Sequence, residues 1–343
     1  MIRAAVIGLG TISPLHIMTI QNIKNATLCA VCDIDENKKK QLPGIPFYTD
    51  YKELAEKEKP DVVHLCLPHY LHYPVAKCFV EKGINVFTEK PAALNLDQVD
   101  EFIELEDSYP DIKIGVCMQN RLNNSTRMLK SILEKGDYGK ILGCYALVPW
   151  SRPLEYYKTS PWRGKYEYAG GGVMINQAIH ALDLLCYLCG DVTQVSGSIS
   201  QLLHYDIEVE DTASARLQFE NGFTGVYYAT NAHFRNESVQ IEINTEKANF
   251  VIVNNALWRS MAGAPGIKLT EDDKFTGAKS YYGPSHGKAI CNFYNSIEED
   301  IDDYFHIKDV RMASAVIDAI TESSKEGKII ELSKEEVQKK VLC

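Results

Sequence analysis

A strand-like run ending in a glycine turn constrains this chain more than any other feature. Ile2-Arg3-Ala4-Ala5-Val6-Ile7 is apolar enough to be buried on both faces, Gly8-Leu9-Gly10-Thr11-Ile12-Ser13 follows at once, and helical spacing then continues to about Gln21. Strands of that kind belong in parallel sheets covered by helices. In such a turn Gly8 permits the tight reversal, and Gly10 lets a pyrophosphate approach the backbone at a helix N-terminus. The third position needs only a small residue, which Ser13 supplies. A second strand, 27–32, ends in Asp33, an acid roughly 20 residues beyond the glycines and placed to accept from a ribose 2′-hydroxyl. Together these features predict NAD as cofactor. Lys38-Lys39-Lys40 leave NADP as the alternative, because lysines there can meet a 2′-phosphate.

Strand-like segments at 61–66, 84–88 and 112–118 alternate with helical patterns at 51–57, 73–81 and 96–107. That alternation predicts an α/β, doubly wound parallel sheet. Ligands bind such sheets beyond the carboxyl ends of the strands. The segments there are Pro68 to His72, Glu89-Lys90-Pro91 and Gln119-Asn120-Arg121. A lysine at a strand end, as Lys90 is, can stabilise an alkoxide that forms beside the cofactor.

From about Asn123 the pattern changes to a helix, a strand at 141–148, and an irregular stretch carrying Trp150, Arg152, Tyr156, Tyr157, Trp162 and Arg163. Gly170-Gly171-Gly172 then opens a run through Asp183 whose apolar spacing reads as one helix, stacking Asn176 and His180, four apart, on one face. Strands follow at 192–203, 212–219, 223–230, 239–243 and 248–253, with Asn221-Gly222 predicting a type I′ hairpin turn. The pattern is helical again from Ser285 to about Gly327, before a short strand at 329–332. The expectation is a dinucleotide-binding domain over 1–121. A second α+β domain over 122–343 carries a large, mostly antiparallel open sheet.

A formal net charge of −10 argues against a basic nucleic-acid face. No apolar run reaches the roughly 20 residues of a membrane span, and no signal-peptide pattern is visible. The ten cysteines lack the paired spacing of a zinc site, so buried free thiols in a reducing cytoplasm are expected, with no metal.

Gly8-x-Gly10-x-x-Ser13-x-x-His16, Pro68-x-x-x-His72, Glu89-Lys90-Pro91 and Gly170-Gly171-Gly172…Asn176-x-x-x-His180-x-x-Asp183 occur in the order seen in one family. Over essentially its whole length the chain resembles the Gfo/Idh/MocA oxidoreductases, which include glucose–fructose oxidoreductase and inositol dehydrogenase. The resemblance implies hydride transfer between nicotinamide and a carbinol carbon of a sugar, sugar derivative or cyclitol. It makes Lys90 and His180 the catalytic residues, with His180 as base. It places Gly8, Gly10, Thr11, Ile12, Asp33, Pro68, His72, Glu89, Lys90, Gln119, Trp162 and Arg163 at the cofactor, and Asn176, Arg163 and Tyr156 at the substrate. Asn176 departs from the aspartate many members carry, and an asparagine hydrogen-bonds without titrating. The Asn-Gln-Ala-Ile-His version resembles members acting at C3 of hexoses, nucleotide-linked uronic sugars and glycosides. A homodimer or homotetramer built through the open sheet is implied as well. Two other readings use the same residues: glycoside cleavage through a transient 3-keto intermediate with no net oxidation, and a non-catalytic sugar or NAD sensor.

Overall fold

The computed structural model of the protein describes residues 1–273 and 285–332. Its backbone divides into two compact units.

The first unit contains β1 (Ile2–Ile7), α1 (Ser13–Asn22), β2 (Ala26–Cys32), β3 (Phe47–Tyr48), α2 (Tyr51–Glu58), β4 (Val62–Leu65), α3 (His72–Val80), β5 (Asn85–Thr88), α4 (Leu96–Ser108) and β6 (Ile114–Val116). The strands form one sheet in the order β3-β2-β1-β4-β5-β6, and each neighbouring pair is parallel. Burial on both faces explains the apolar runs. Val62, Val63, His64 and Leu65 of β4 are fully buried, as strands between two helical layers must be. The order reverses between β1 and β4, which opens a crevice at their carboxyl ends, where such sheets bind dinucleotides.

The second unit begins with α5 (Asn124–Lys135) and β7 (Ile141–Pro149), followed by α6 (Leu154–Lys158), α7 (Tyr166–Ala169), α8 (Val173–Asn176) and α9 (Ile179–Cys189). Strands β8 (Val192–Ser200), β9 (Thr212–Phe219), β10 (Thr224–Thr230), β11 (Gln240–Thr245), β12 (Asn249–Val253), β13 (Ala256–Met261) and β14 (Ala264–Glu271) come next. Later in the chain come α10 (His286–Glu299), which belongs to the first unit, and α11 (Arg311–Glu326) and β15 (Ile330–Glu331) of the second. The second sheet has nine strands in the order β14-β13-β12-β11-β7-β10-β9-β8-β15. Only the β10–β7 pair is parallel. One face packs on α9 and α11, while alternate residues such as Leu142 and Val226 are exposed.

Several sequence expectations change. The boundary expected at 121/122 leaves out a return of the chain, because residues Ser285–Asp309, with α10, group with the first unit. There Tyr294 Oη lies 2.9 Å from His64 Nε2, and the Val116 amide donates to the Phe305 carbonyl. Strands β13 and β14 have no counterpart in the sequence reading, since β14 is mostly exposed and lacks apolar alternation. The Asn221-Gly222 turn is not type I′, which needs positive φ at both central residues. Gly222 alone has positive φ, and its amide donates back to Phe219, so the loop is an ordinary turn closed by a left-handed glycine.

The glycine-opened run is also two helices rather than one. Segments Tyr166–Asn176 and Ile179–Cys189 meet at 58°. At the break the Gln177 and Ala178 amides both donate to the Val173 carbonyl, a widened turn that bends the axis. Asn176 and His180 therefore sit on different helices, and the expected one-face stacking does not occur.

Candidate functional site

In the first unit the site grows from the β1 turn. Gly8 has φ +91°, and a Cβ there would lie 2.5 Å from the Cys66 carbonyl oxygen, so only glycine fits. At Gly10 a Cβ would meet nothing nearer than 3.8 Å, which leaves the backbone open to a ligand. The Ser13 hydroxyl donates to the Gly10 carbonyl. No side chain caps the N-terminus of α1, so its amides point toward the turn as an anion site requires. Asp33 is buried at the end of β2 and accepts from the Leu9 and Asp35 amides and from Lys38 Nζ at 2.8 Å. Burial opposes its charge, but Lys38 and the two amides outweigh burial and hold the carboxyl below its ordinary range. An uncapped helix end, an open Gly10 and an ionised acid at the neighbouring strand end fit a dinucleotide.

The other predicted cofactor residues divide. Lys90 is half-buried after β5, and its bond to Pro91 is cis. Glu89 beside it is buried, and its carboxylate faces His16 Nε2 at 2.9 Å. His72 is also buried, with ring nitrogens 2.6 Å from the Pro91 carbonyl and 2.9 Å from that of Leu67. Burial lowers its pKa. Glu89 and His72 thus brace the Glu-Lys-Pro turn from below. Gln119 is buried as well, near the Cys117 thiol.

A buried chain that sequence reasoning missed runs behind this turn. His16 Nδ1 lies 2.9 Å from His64 Nδ1, and His64 reaches Tyr294. Burial disfavours the imidazolium of His16, yet the Cys66 sulfur and Glu89 carboxylate outweigh it and raise the pKa to about 10. His64 is driven the other way by burial and by the charge of His16. Charged His16 therefore donates to both neighbours, and neutral His64 passes its remaining N–H to Tyr294. Glu89, Cys117 and His286 also bring potential ligand atoms within 4.8 Å of one another. Burial keeps the Cys117 thiol protonated, and the Glu89 carboxylate is already engaged by His16.

In the second unit Gly172 is required by Glu210, while Gly170 ends α7 in the left-handed region. A Cβ on Gly172 would stand 1.8 Å from the Glu210 carbonyl oxygen. That carbonyl accepts from Val173, while the side chain accepts from the Gly172 and Met174 amides at 2.8 and 3.1 Å. One residue thus satisfies three amides at the start of α8. Burial raises the Glu210 carboxyl to about 7 despite these bonds. Nothing in the local sequence signals it, because Glu210 is 38 positions from Gly172.

Asn176, Tyr156 and Arg163 come together. The Tyr156 hydroxyl accepts from Asn176 Nδ2 at 3.1 Å and from Gln177 Nε2 at 2.8 Å. The Arg163 guanidinium lies 4.3 Å from the Tyr156 ring centroid and 5.5 Å from that of Trp162. Gln177, which the sequence reading passed over, also accepts from Asn231. Asp183 forms a buried two-point pair with Arg121 at 2.9 and 2.6 Å, which pins α9. His180 is 6% exposed and lines a cavity of about 330 Å³ with Asn120, Trp150, Gln177 and Leu184.

Comparisons with known proteins agree with the fold. Residues 2–115 match a family model described as oxidoreductase family, NAD-binding Rossmann fold. Residues 126–251 match the GFO/IDH/MocA C-terminal domain. The chain is 31% identical over 234 residues to the myo-inositol 2-dehydrogenase of Thermotoga maritima, covering 65% of this chain and 67% of that one. It is 26% identical over 244 residues to the D-glucoside 3-dehydrogenase of Escherichia coli, covering 64% and 68%. The WlbA dehydrogenase of Bordetella pertussis, solved with NADH and UDP-GlcNAcA, superposes with a TM-score of 0.83 at 27% identity, over 97% of this chain and 99% of that one.

Proposed function

The chain belongs to the Gfo/Idh/MocA family of NAD-binding oxidoreductases, and from that premise we propose that it oxidises a secondary alcohol of a sugar, sugar derivative or cyclitol. The observation carrying this reading is His180, set in the wall of a polar cavity on a helix pinned by Asp183 and Arg121. Gly8, Gly10, Thr11 and Ile12 would hold the pyrophosphate and Asp33 the adenosine ribose. When bound, NAD supplies the hydride acceptor.

This chain's own residues handle the proton and the oxygen. His180 takes the hydroxyl proton, a task suited to an imidazole near neutral pH. Lys90 stabilises the oxygen as negative charge develops. Asn176 cannot titrate, so it positions the substrate by hydrogen bonding while Tyr156 fixes its carboxamide. Arg163 shapes the same region by lying over the Tyr156 and Trp162 rings. NADP is the weaker candidate, because Lys38 is paired with Asp33.

A panel of polyols, sugars and glycosides with NAD, followed by NADH absorbance, tests the reading. Steady accumulation is expected, with losses of at least about 100-fold for Lys90→Ala and for His180→Ala. Unchanged rates in both variants would refute the assignment. Turnover without net NADH would favour the glycoside-cleavage route instead. The exposed alternate residues of the second sheet further support a homo-oligomer through that face, which light scattering measures directly. Nine cysteines, all free among the described residues, support a reducing cytoplasm as its location.

A further inference from the structure

We propose that Arg152 anchors an oxyanion carried by the substrate, a carboxylate or a phosphate, so that the site takes acidic rather than neutral sugars. This deepens the proposed function and rests on it.

Arg152 follows β7 and is 8% exposed, yet no carboxylate pairs with it among the described residues. The acids nearest along the chain and across the sheet are engaged elsewhere or point outward. Glu237 pairs with Arg235, Asp211 accepts from the Leu202 and Leu203 amides and the Thr212 hydroxyl, and Glu155 is exposed. A buried cation without a counter-ion is costly, and an anionic ligand removes that cost. Arg152 spends only Nη1, on the Ser151 carbonyl at 2.8 Å and on Asn236 Oδ1 at 2.9 Å. Its Nε and Nη2 meet no acceptor among the described residues, and neither nitrogen is sealed inside the protein.

Two neighbours add donors of the same kind. Tyr156 Oη accepts from Asn176 Nδ2 and Gln177 Nε2, which occupies both lone pairs, so its own hydrogen can only donate. Arg163 spends only Nη1, on the Tyr156 carbonyl at 3.2 Å. The guanidinium carbons of Arg152 and Arg163 lie 5.5 and 4.3 Å from the centre of the Tyr156 ring. What these three side chains have left to offer is therefore donors alone. A sugar hydroxyl needs a donor and an acceptor, whereas an ionised carboxylate or phosphate oxygen accepts from several donors at once. The cluster adjoins the His180 cavity, because Trp150, Gln177 and Asn236 line that cavity and also contact Arg152 or Tyr156. A sugar anchored by its acidic group can extend from there toward His180. The family resemblance assigns Arg163 to the cofactor as well, so the test turns on Arg152.

The test uses the full-length protein and matched sugars: methyl glucoside, galactoside and mannoside, each against its C6 uronate and its 6-phosphate, plus UDP-glucose against UDP-glucuronate. NADH formation gives kcat/KM, and saturation-transfer NMR on the NADH complex reports sugar binding without turnover. An acid-over-neutral ratio of at least about 30-fold is expected in the preferred scaffold, and the uronate and phosphate arms show which oxyanion is taken. Arg152→Gln should lower that ratio at least about tenfold, and Arg152→Lys, which keeps the charge without the planar fork, should fall between. Melting temperatures check folding, and if Arg152→Gln does not fold, Arg152→Lys carries the comparison. Equal or faster turnover of the neutral partners overturns the proposal while leaving the dehydrogenase reading intact. So does a ratio that no folded variant moves. Acidic sugars that bind by NMR but never reduce NAD support the anchor and sink the dehydrogenase reading. If no sugar of either kind binds, the anchor is wrong.

Discussion

Glu210→Gln separates two effects that the buried carboxyl combines. In the folded chain burial lifts its pKa from 4.5 to about 7. Between those values the native state binds the proton more tightly than the unfolded chain does, so stability from this group falls as pH rises, then levels off above pH 7. The full shift corresponds to about 3 kcal/mol, of which roughly 2–3 develops between about pH 5 and pH 8. Glutamine cannot ionise and so removes that slope. Its amide group also turns a donor toward either the Gly172 or the Met174 amide, at a cost of about 1–3 kcal/mol at any pH. The variant should therefore be less stable than the parent near pH 5 and close to it, or slightly above it, near pH 8. Urea unfolding followed by tryptophan fluorescence measures the gap at both pH values. Other titrating groups are common to both proteins and cancel in the difference. A gap that is the same at the two pH values would refute the reasoning, since Glu210 would then not titrate in this window.

Removing Asp183 as Asp183→Ala strands a buried guanidinium, and a loss of about 3–5 kcal/mol in urea unfolding is expected. The paired change Arg121→Leu/Asp183→Leu should recover part of it. Asp33→Ala should weaken NAD about tenfold by fluorescence titration while NADP gains relative to it, because Lys38 is released toward a 2′-phosphate. His16, raised from 6.5 to about 10, contributes stability that is complete below its ordinary pKa and is lost as pH climbs toward 10. His16→Gln should flatten that alkaline decline in a set of melting curves.

The first unit was the more legible in sequence because its rules are local. A buried strand, its glycine turn and the acid at the next strand end lie within the first 33 residues, and each has one physical reason to be there. The helical pattern at 96–107 falls within one residue of α4. What escaped was set by distant partners. Glu210 caps a turn far from it in sequence, Tyr294 completes a hydrogen-bond chain that starts at His16, and Gln177 is drawn into a widened turn by Tyr156 and Asn231. The kink between α8 and α9 follows from those side-chain bonds, whereas apolar periodicity continues straight across it. Of the site itself, the sequence marked Asn176, Tyr156, Arg163 and His180. Beyond His180 on α9, the other walls of its cavity, from α5, β7, β11 and β12, carry no signal in the sequence.

The return of Ser285–Asp309 bears on how the chain is made. A ribosome delivers the six strands of the first sheet early, but the side chains that close over them arrive only after residue 285. Phe293 packs at a tilt against Phe87 and fills the space over Gly115, and His306 reaches back to Glu106 at 2.7 Å. Until that segment emerges, the nascent N-terminal sheet carries an uncovered aromatic surface and a histidine, His64, without its tyrosine. The whole second unit up to β14 is synthesised during that wait, so maturation of the nucleotide-binding half depends on translation passing residue 309. A fragment cut after residue 121 should accordingly aggregate, and adding residues 285–309 through a short linker should rescue it.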